Sequence, residues 1–362
     1  MIQITKIKLE NLLAFVNSKQ YTSFSNKPIS ILRVNSYINN PNANKDDIVL
    51  YMAFSKGKLV GYRTILSDVF YNQNQSTNFG WLSGNWVDSK YRRKNISTTL
   101  FNEVLSDWNN KLMFSNYAEA SKALYDKTSV FKELKTINGI RYYRRFCLSD
   151  ILPVKHAFFN TIKPILKIND FLLNLFFDFR FTKNNSQIDV IKLTDWNHET
   201  YQFLSKFKEN ELFKRDSKTY QWIQNFPWIK TDLTTKKQAQ QYHFSSFATV
   251  FINNFYTIKN EGQVVAIINI SIKNQQLKVP YFYSFSEGIK PAKNLISTLC
   301  KEHQINILTI YNNELNTLFN KTYFIKRKSF TQKYFITDYL MSNYKNLKAK
   351  NIQTGDGDSV FT

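Results

Sequence analysis

Apolar and polar positions change period along this 362-residue chain, and the changes mark out its elements. "IVLYMAFSKGKLVGYRTIL" (48–66) carries β-branched and aromatic residues on both sides of Ser55–Lys58, with Gly57 in the turn. It predicts two strands joined as a hairpin. "NFGWLSGNWV" (78–87) predicts another strand. Then Ile96, Leu100, Val104 and Trp108, with Phe101 and Leu105, stand three or four apart, which is one face of a helix. "KLMFSN" (111–116) predicts a short strand, "AEASKALYDK" (118–127) a helix by propensity, and "GIRYYRRFCL" (139–148) a closing strand.

The second half repeats this order. "FYTIKNEGQVVAIINISI" (255–272) has the same strand–turn–strand form, and "GQVVAIINI" (262–270) shadows "GKLVGYRTI" (57–65). A strand at 277–285, a helix at about 291–303 and a strand at 305–311 follow. Similarity spaced about a domain apart points to duplication rather than a solenoid. Between the halves, residues 156–182 are apolar and aromatic, broken by Pro164 and interrupted by Asp170 and Asp178. They predict a helix packed between two domains, with a helix lying in a membrane interface as the alternative. The expected segments are 1–150, a helical linker at 151–185, 186–345 and a tail at 346–362.

Charge narrows the partners. Lys and Arg number 49 against 27 Asp and Glu, a net +22. Such a balance favours nucleotides, nucleic acid or an anionic membrane. AT-rich coding DNA, which also enriches Asn, Ile, Phe and Tyr, produces the same balance. Two cysteines, Cys147 and Cys300, make no disulfide framework and have no zinc spacing. His156, His198, His243 and His303 are scattered, so no metal site is expected. "MIQITKIKLENLLAF" lacks a signal-peptide pattern, and no run of 18 apolar residues predicts a membrane span. A cytoplasmic, reduced, two-domain protein is expected; its oligomeric state is left open.

One stretch carries chemistry. "WVDSKYRRKNISTTLFNEVLSDW" (86–108) runs from a strand through a knot of positive charge into the predicted helix. A helix N-terminus presents unpaired N–H groups and the positive end of a dipole, and so attracts phosphate. Arg92, Arg93 and Lys94 add mobile positive charge. Asn95 is the best substitute for Gly where a loop needs a positive φ. Ser97 is small enough for a ligand to approach the backbone. The stretch suits a pyrophosphate; the alternative is a solvated basic turn capping an ordinary helix.

Strand, basic loop, helix, strand, then a helix bearing Tyr resembles the GNAT superfamily of N-acetyltransferases. Arg92-Arg93-Lys94-Asn95-Ile96-Ser97 resembles that family's Arg/Gln-x-x-Gly-x-Gly/Ala pyrophosphate loop, with Asn95 and Ser97 in place of the usual small residues. "WVDSKY" before it resembles "VxPxY", and "ALYDKTSVF" (123–131) resembles "LYEKLGF". The resemblance covers roughly residues 28–148. It extends to a bacterial subfamily with "PIS…R" near its start (Pro28, Ile29, Ser30, Arg33) and a "GDGD…FT" tail (355–362).

The resemblance implies an α+β fold with a mixed, mostly antiparallel central sheet flanked by helices, here duplicated. It implies that acetyl-CoA enters a splayed opening between two central strands and that an amine attacks the thioester directly. Backbone groups near Asn85, Trp86 and Val87 would hold the pantetheine arm, and residues 92–98, including Ile96 and Thr98, the pyrophosphate. Asn116 would lie near the coenzyme. Tyr125 matches the residue that protonates the leaving thiolate, a role that needs a donor within hydrogen-bond reach; a core tyrosine is the competing reading. Glu119 and Asp88 are the candidate proton acceptors, each also readable as a surface carboxylate.

The second half has no comparable loop: "SEGIKPAKNLISTL" (286–299) puts Pro291 where the phosphate grip would be, so it reads as a degenerate copy that shapes the acceptor site. In the tail, Asp356 and Asp358 flank Gly357, read as a turn rather than a cation site. Three functions follow. The first is an N-acetyltransferase acting on a small amine, an amino sugar by subfamily context. The second is a Fem-type transferase using aminoacyl-tRNA. The third is a non-catalytic binding protein of the same fold.

Overall fold

A computed structural model describes residues 2–72, 75–115, 119–178, 189–231 and 241–362, without the side chains of 119–123 and 176–178. The chain forms two compact units, and neither is one run of sequence. Unit 1 takes residues 1–137, 204–249 and 332–362; unit 2 takes 138–203 and 250–331. This partition cuts across the consecutive segments expected from the sequence.

In chain order the elements are β1 (Ile2–Lys8), α1 (Leu9–Val16), α2 (Lys19–Ser23), α3 (Ile31–Ile38), β2 (Ile48–Ser55), β3 (Lys58–Asn72), β4 (Gln75–Val87), α4 (Ile96–Asp107), β5 (Leu112–Ser115), α5 (Glu119–Thr128) and β6 (Phe131–Tyr143). Then come α6 (Leu148–Lys155), α7 (Lys163–Asp178), β7 (Asp189–Lys192), α8 (His198–Lys208), α9 (Ser217–Asn225), β8 (Ile229–Lys230), β9 (Ser246–Phe247), β10 (Phe251–Asn260) and β11 (Gln263–Lys273). The last are β12 (Gln276–Lys278), β13 (Phe282–Ser284), α10 (Ser286–Glu302), β14 (Ile307–Ile310), α11 (Asn313–Phe319), β15 (Lys326–Thr337) and α12 (Asp338–Asn343).

In unit 1 the strand order is β1-β2-β3-β4-β5-β15-β6. β1 to β4 are antiparallel neighbours, whereas β4 and β5 are parallel. That parallel pairing is short, Gly80 with Leu112 and Trp81 with Met113, so β4 and β5 part after Trp81. Just beyond, the β3–β4 register shifts: Ile65 faces Leu82 while Thr64 faces Gly84. Ser83 is the extra residue, and such a bulge bends a strand and re-aims its side chains. The expected helical stripe is real. Ile96, Leu100, Phe101 and Val104 of α4 are buried with Trp108 against Tyr51, Val60, Leu112 and Phe114. Each large apolar side chain so buried contributes about 1.5–3 kcal/mol.

Unit 2 is built on the β10–β11 hairpin, with β12, β13 and β7 beside it and β14 parallel to β12. Its hairpin and the β2–β3 hairpin of unit 1 share a local geometry. Lys56–Gly57 and Glu261–Gly262 both have positive φ at the two turn positions, the primed turn that tight hairpins favour. Both hairpins shift register two residues before the first strand ends, at Ala53/Phe54 and Ile258/Lys259. α10 starts at Ser286, earlier than the predicted 291, and carries Pro291 inside it. β6 spans 131–143 rather than 139–148; its exposed polar positions Lys132 and Glu133 hide the strand signal.

The predicted linker helix is two, α6 and α7. α7 turns Leu166, Asp170 and Asn174 inward and leaves Ile165, Ile168, Phe171, Leu172 and Leu175 exposed. Asp170 accepts the backbone N–H of Leu148 and of Ser149, at 2.8 and 2.9 Å, and so caps α6. Asn174 bonds both backbone groups of Phe146. Among the described residues no helix is long and apolar enough to cross a membrane.

Candidate active site

The basic loop begins where β4 ends. Asp88 accepts the N–H of Lys90 at 3.0 Å and starts a single 3₁₀ turn, Ser89–Tyr91. It also pairs with Lys58 at 3.0 Å. The Lys90 N–H and the Lys58 ammonium hold its carboxyl below the ordinary aspartate value. Asp88 is therefore a cap rather than a free proton acceptor. The side chain of Glu119, the other candidate, lies outside the described residues, as does Asn116.

Arg92 is extended, and Arg93 and Asn95 both sit at positive φ, 62° and 59°. Asn95 takes the left-handed conformation expected of it, at the N-cap of α4. Its side chain makes no capping hydrogen bond. The first N–H groups of α4, on Ile96, Ser97 and Thr98, have no acceptor within the helix. Arg92, Arg93, Lys94 and Asn95 are exposed, with the Lys94 ammonium 4.9 Å from the Tyr91 ring centre. Unpaired N–H groups, a helix dipole and mobile cations thus meet at one point, the arrangement that binds phosphate.

β4 leads from this loop back to the splay. Asp88 N–H bonds Val60 C=O, so the alternation of an antiparallel ladder commits the backbone of Trp86 to Tyr62. The same alternation turns the backbone groups of Asn85 and Val87 to the opposite edge, away from β3. The Trp86 ring stacks on Tyr62 at 5.3 Å. Asn85 ties the strand to the loop: its Nδ2 donates to Ser97 Oγ at 3.0 Å.

Tyr125 lies under the splay. Its ring stacks on Phe114 at 4.6 Å and meets Phe101 and Phe131 edge-on. Its hydroxyl accepts a 3.2 Å hydrogen bond from Nη1 of Arg63, the residue opposite Asn85 on β3. Arg63 is 1% exposed, and its Nε and Nη2 have no partner among the described residues. The sequence reading missed Arg63, whose signal is a lone cation inside the apolar run "LVGYRTIL".

The other face of β3 and β4 carries a second polar group. Arg33 of α3 is 4% exposed; its guanidinium lies 4.0 Å from the Trp228 ring centre and donates to Ser83 Oγ at 2.7 Å. The hydroxyls of Tyr37, Tyr62 and Tyr242 are buried on this face, and the indole N–H of Trp228 is buried without a partner among the described residues. Trp228 and Tyr242 also wall a cavity of about 320 Å³ together with Tyr21, Lys27, Ser30 and Lys230. Ligand pockets begin at about this size. Cys147 and Cys300 take no part: burial pushes both thiols up to about 12, so neither is a thiolate at neutral pH. Among the described residues no His, Cys, Asp and Glu cluster is placed to hold a metal ion.

In unit 1, a strand pair thus opens beside the exposed basic loop at the N-terminus of α4. Residues 17–128, under a third of the chain, match the model of the Acetyltransferase (GNAT) family. No curated protein matches the chain. Among solved structures, a conserved protein from Enterococcus faecalis, a probable N-acyltransferase, aligns with 92% of this chain and 72% of its own, at 8% identity and a TM-score of 0.52. N-myristoyltransferase from Saccharomyces cerevisiae with bound myristoyl-CoA aligns over 92% of this chain and 82% of its own, at 11% identity and a TM-score of 0.50. A GCN5-related N-acetyltransferase from Anabaena variabilis reaches 0.49 over 92% and 72%, at 11% identity. At such identities a structural likeness speaks for the fold alone.

Proposed function

We propose that this protein is an N-acetyltransferase that moves an acetyl group from acetyl-CoA to the amine of a small hydroxylated acceptor, an amino sugar being the best candidate. The observation that carries the reading is the left-handed Asn95 at the head of α4, beside the open edge of β4. The N–H groups of residues 96–98 with Arg92, Arg93 and Lys94 take the pyrophosphate. The free backbone groups of Asn85 and Val87 take the amides of the pantetheine arm. That path leads the thioester to the splay, above Tyr125.

The amine attacks the thioester carbon, and the C–S bond breaks as the C–N bond forms. Tyr125 gives its proton to the departing thiolate. Arg63 can only donate, so its bond occupies a lone pair of the Tyr125 oxygen and leaves the O–H free to point elsewhere. The cavity beside Trp228 and Tyr242, with hydroxyl, lysine and aromatic walls, suits a hydroxylated amine. Unit 2, which repeats the hairpin geometry without a basic loop, is read as a degenerate copy.

Calorimetric titration of acetyl-CoA into the full chain tests the reading. Micromolar binding is expected, and it should be lost in an Arg92→Ala, Arg93→Ala double variant that still melts cooperatively. A folded wild-type chain that binds no acetyl-CoA would refute the proposal.

A further inference from the structure

The tail "GDGDSVFT" is read from sequence as a turn, yet it is held in the middle of unit 1. Arg215 ties it down: Nε donates to Asp356 at 3.0 Å, and Nη2 donates to Asp68 at 2.7 Å. Asp68 in turn accepts the Trp81 indole N–H at 2.8 Å. Phe361 lies flat on Trp228, with ring centres 4.7 Å apart. Between these anchors the chain passes the place where β4 and β5 part. A Cβ on Gly357 would stand 3.5 Å from Ser115 Oγ of β5 and 3.7 Å from the Trp81 ring of β4.

Asp358 comes next, and its Oδ2 accepts the Ser83 hydroxyl at 2.7 Å. Ser83 is the bulged residue of β4, and its oxygen is already bonded by Arg33. Arg33, near the start of the chain, and Asp358, near its end, thus meet on one hydroxyl where β4 has left β5. Asp358 and Ser83 are both partly exposed, whereas Arg33 and Asp356 are buried.

We infer that Asp358 is the proton acceptor for the attacking amine, a role that rests on the acyl-CoA reading above. An amine arrives as an ammonium ion and must lose a proton before it can attack. Asp358 takes that proton and passes it to solvent. The nitrogen then forms its bond to the thioester carbon as the C–S bond breaks. A second proton leaves the nitrogen for solvent, while Tyr125 protonates the thiolate and is reprotonated from solvent. An ordinary carboxylate is a weak base for this work. Burial raises the Asp358 carboxyl above its usual value, partly opposed by the Arg33 charge, and so strengthens it as a base. The charged and titratable groups facing it are Arg33 and Tyr37 of α3 and Tyr242, the two tyrosines uncharged at neutral pH because burial pushes them up.

The test compares two amines with acetyl-CoA and the full chain at neutral pH. Glucosamine must lose a proton to react; hydroxylamine is already uncharged. Asp358→Asn should bind acetyl-CoA as the wild type does. It should lose about 100-fold or more in transfer to glucosamine but less than about tenfold with hydroxylamine. Asp358→Glu, which keeps a carboxylate, should restore part of the glucosamine activity and covers the case of a poorly folded Asn variant. Equal losses with both amines, no loss with either, or a wild-type chain inert to both would overturn the role of Asp358. A wild-type chain that fails to bind acetyl-CoA would instead overturn the reading beneath it.

Discussion

Arg63 reaches the Tyr125 hydroxyl with one nitrogen and leaves its other two without a partner among the described residues, at 1% exposure. A buried cation held so sparingly costs stability, because desolvation is not repaid by a paired carboxylate. Arg63→Met should therefore leave the melting temperature unchanged or higher. The same variant should lower kcat about 10- to 100-fold with little change in acetyl-CoA affinity, since the donor that orients Tyr125 is gone. Thermal melts and steady-state kinetics on one preparation check both signs. A fall in melting temperature with normal kcat would mark Arg63 as structural.

The loop makes a separate prediction. Asn95 at φ 59° tolerates Gly but not a β-branched residue. Asn95→Gly should retain acetyl-CoA binding. Asn95→Val should cost about 1–2 kcal/mol of stability and weaken binding, because the first turn of α4 can no longer present its N–H groups. Denaturant titrations and calorimetry distinguish the two effects.

Glu211 gives a pH dependence. It is 5% exposed, and burial pushes its carboxyl up to about 8, with the Asp356 charge adding to the rise. The folded chain holds it protonated while the unfolded chain ionises near 4.5. Its contribution is therefore complete below about pH 4.5 and is lost as pH rises through about 8. Glu211→Gln should be more stable than the wild type above pH 8, with the difference shrinking toward pH 4.5. Urea denaturation across that range measures it; a pH-independent difference would contradict the assignment.

In unit 2, Asp170→Ala removes the acceptor for two N–H groups at the start of α6. A loss of about 1–2 kcal/mol is expected. Phe171→Ser, one residue along on the exposed face of α7, should leave stability nearly unchanged, and urea titration of the pair separates the two faces.

Local chemistry was legible in the sequence, and distant pairing was not. The α4 stripe and the left-handed Asn95 depend on spacing and on one residue's backbone preferences, both visible within a few positions. The hairpin at Lys56–Gly57 is legible for the same reason. Arg63 needed its strand's facing to be known before a lone cation could mean anything. Asp358 is bonded to a residue 275 positions away, so nothing near it in sequence separates it from an ordinary turn. Asp88 was readable as a carboxylate near the site, but Lys58, thirty positions earlier, was needed to show it was already engaged. The facing of α7 was hidden for a related reason: its buried Asp170 answers to backbone groups twenty-odd residues upstream.

The threading of unit 1 has a consequence for synthesis. β15 lies between β5 and β6 in its sheet, yet the chain makes all of residues 250–331 after β6 and before the half of β15 that unit 1 uses. On the ribosome β5 and β6 therefore wait with open edges for a strand not yet made, a state that invites pairing with other chains. Early termination anywhere in that interval leaves a fragment whose first unit is unclosed. Production of this protein should thus depend on chaperones and on slow, complete translation.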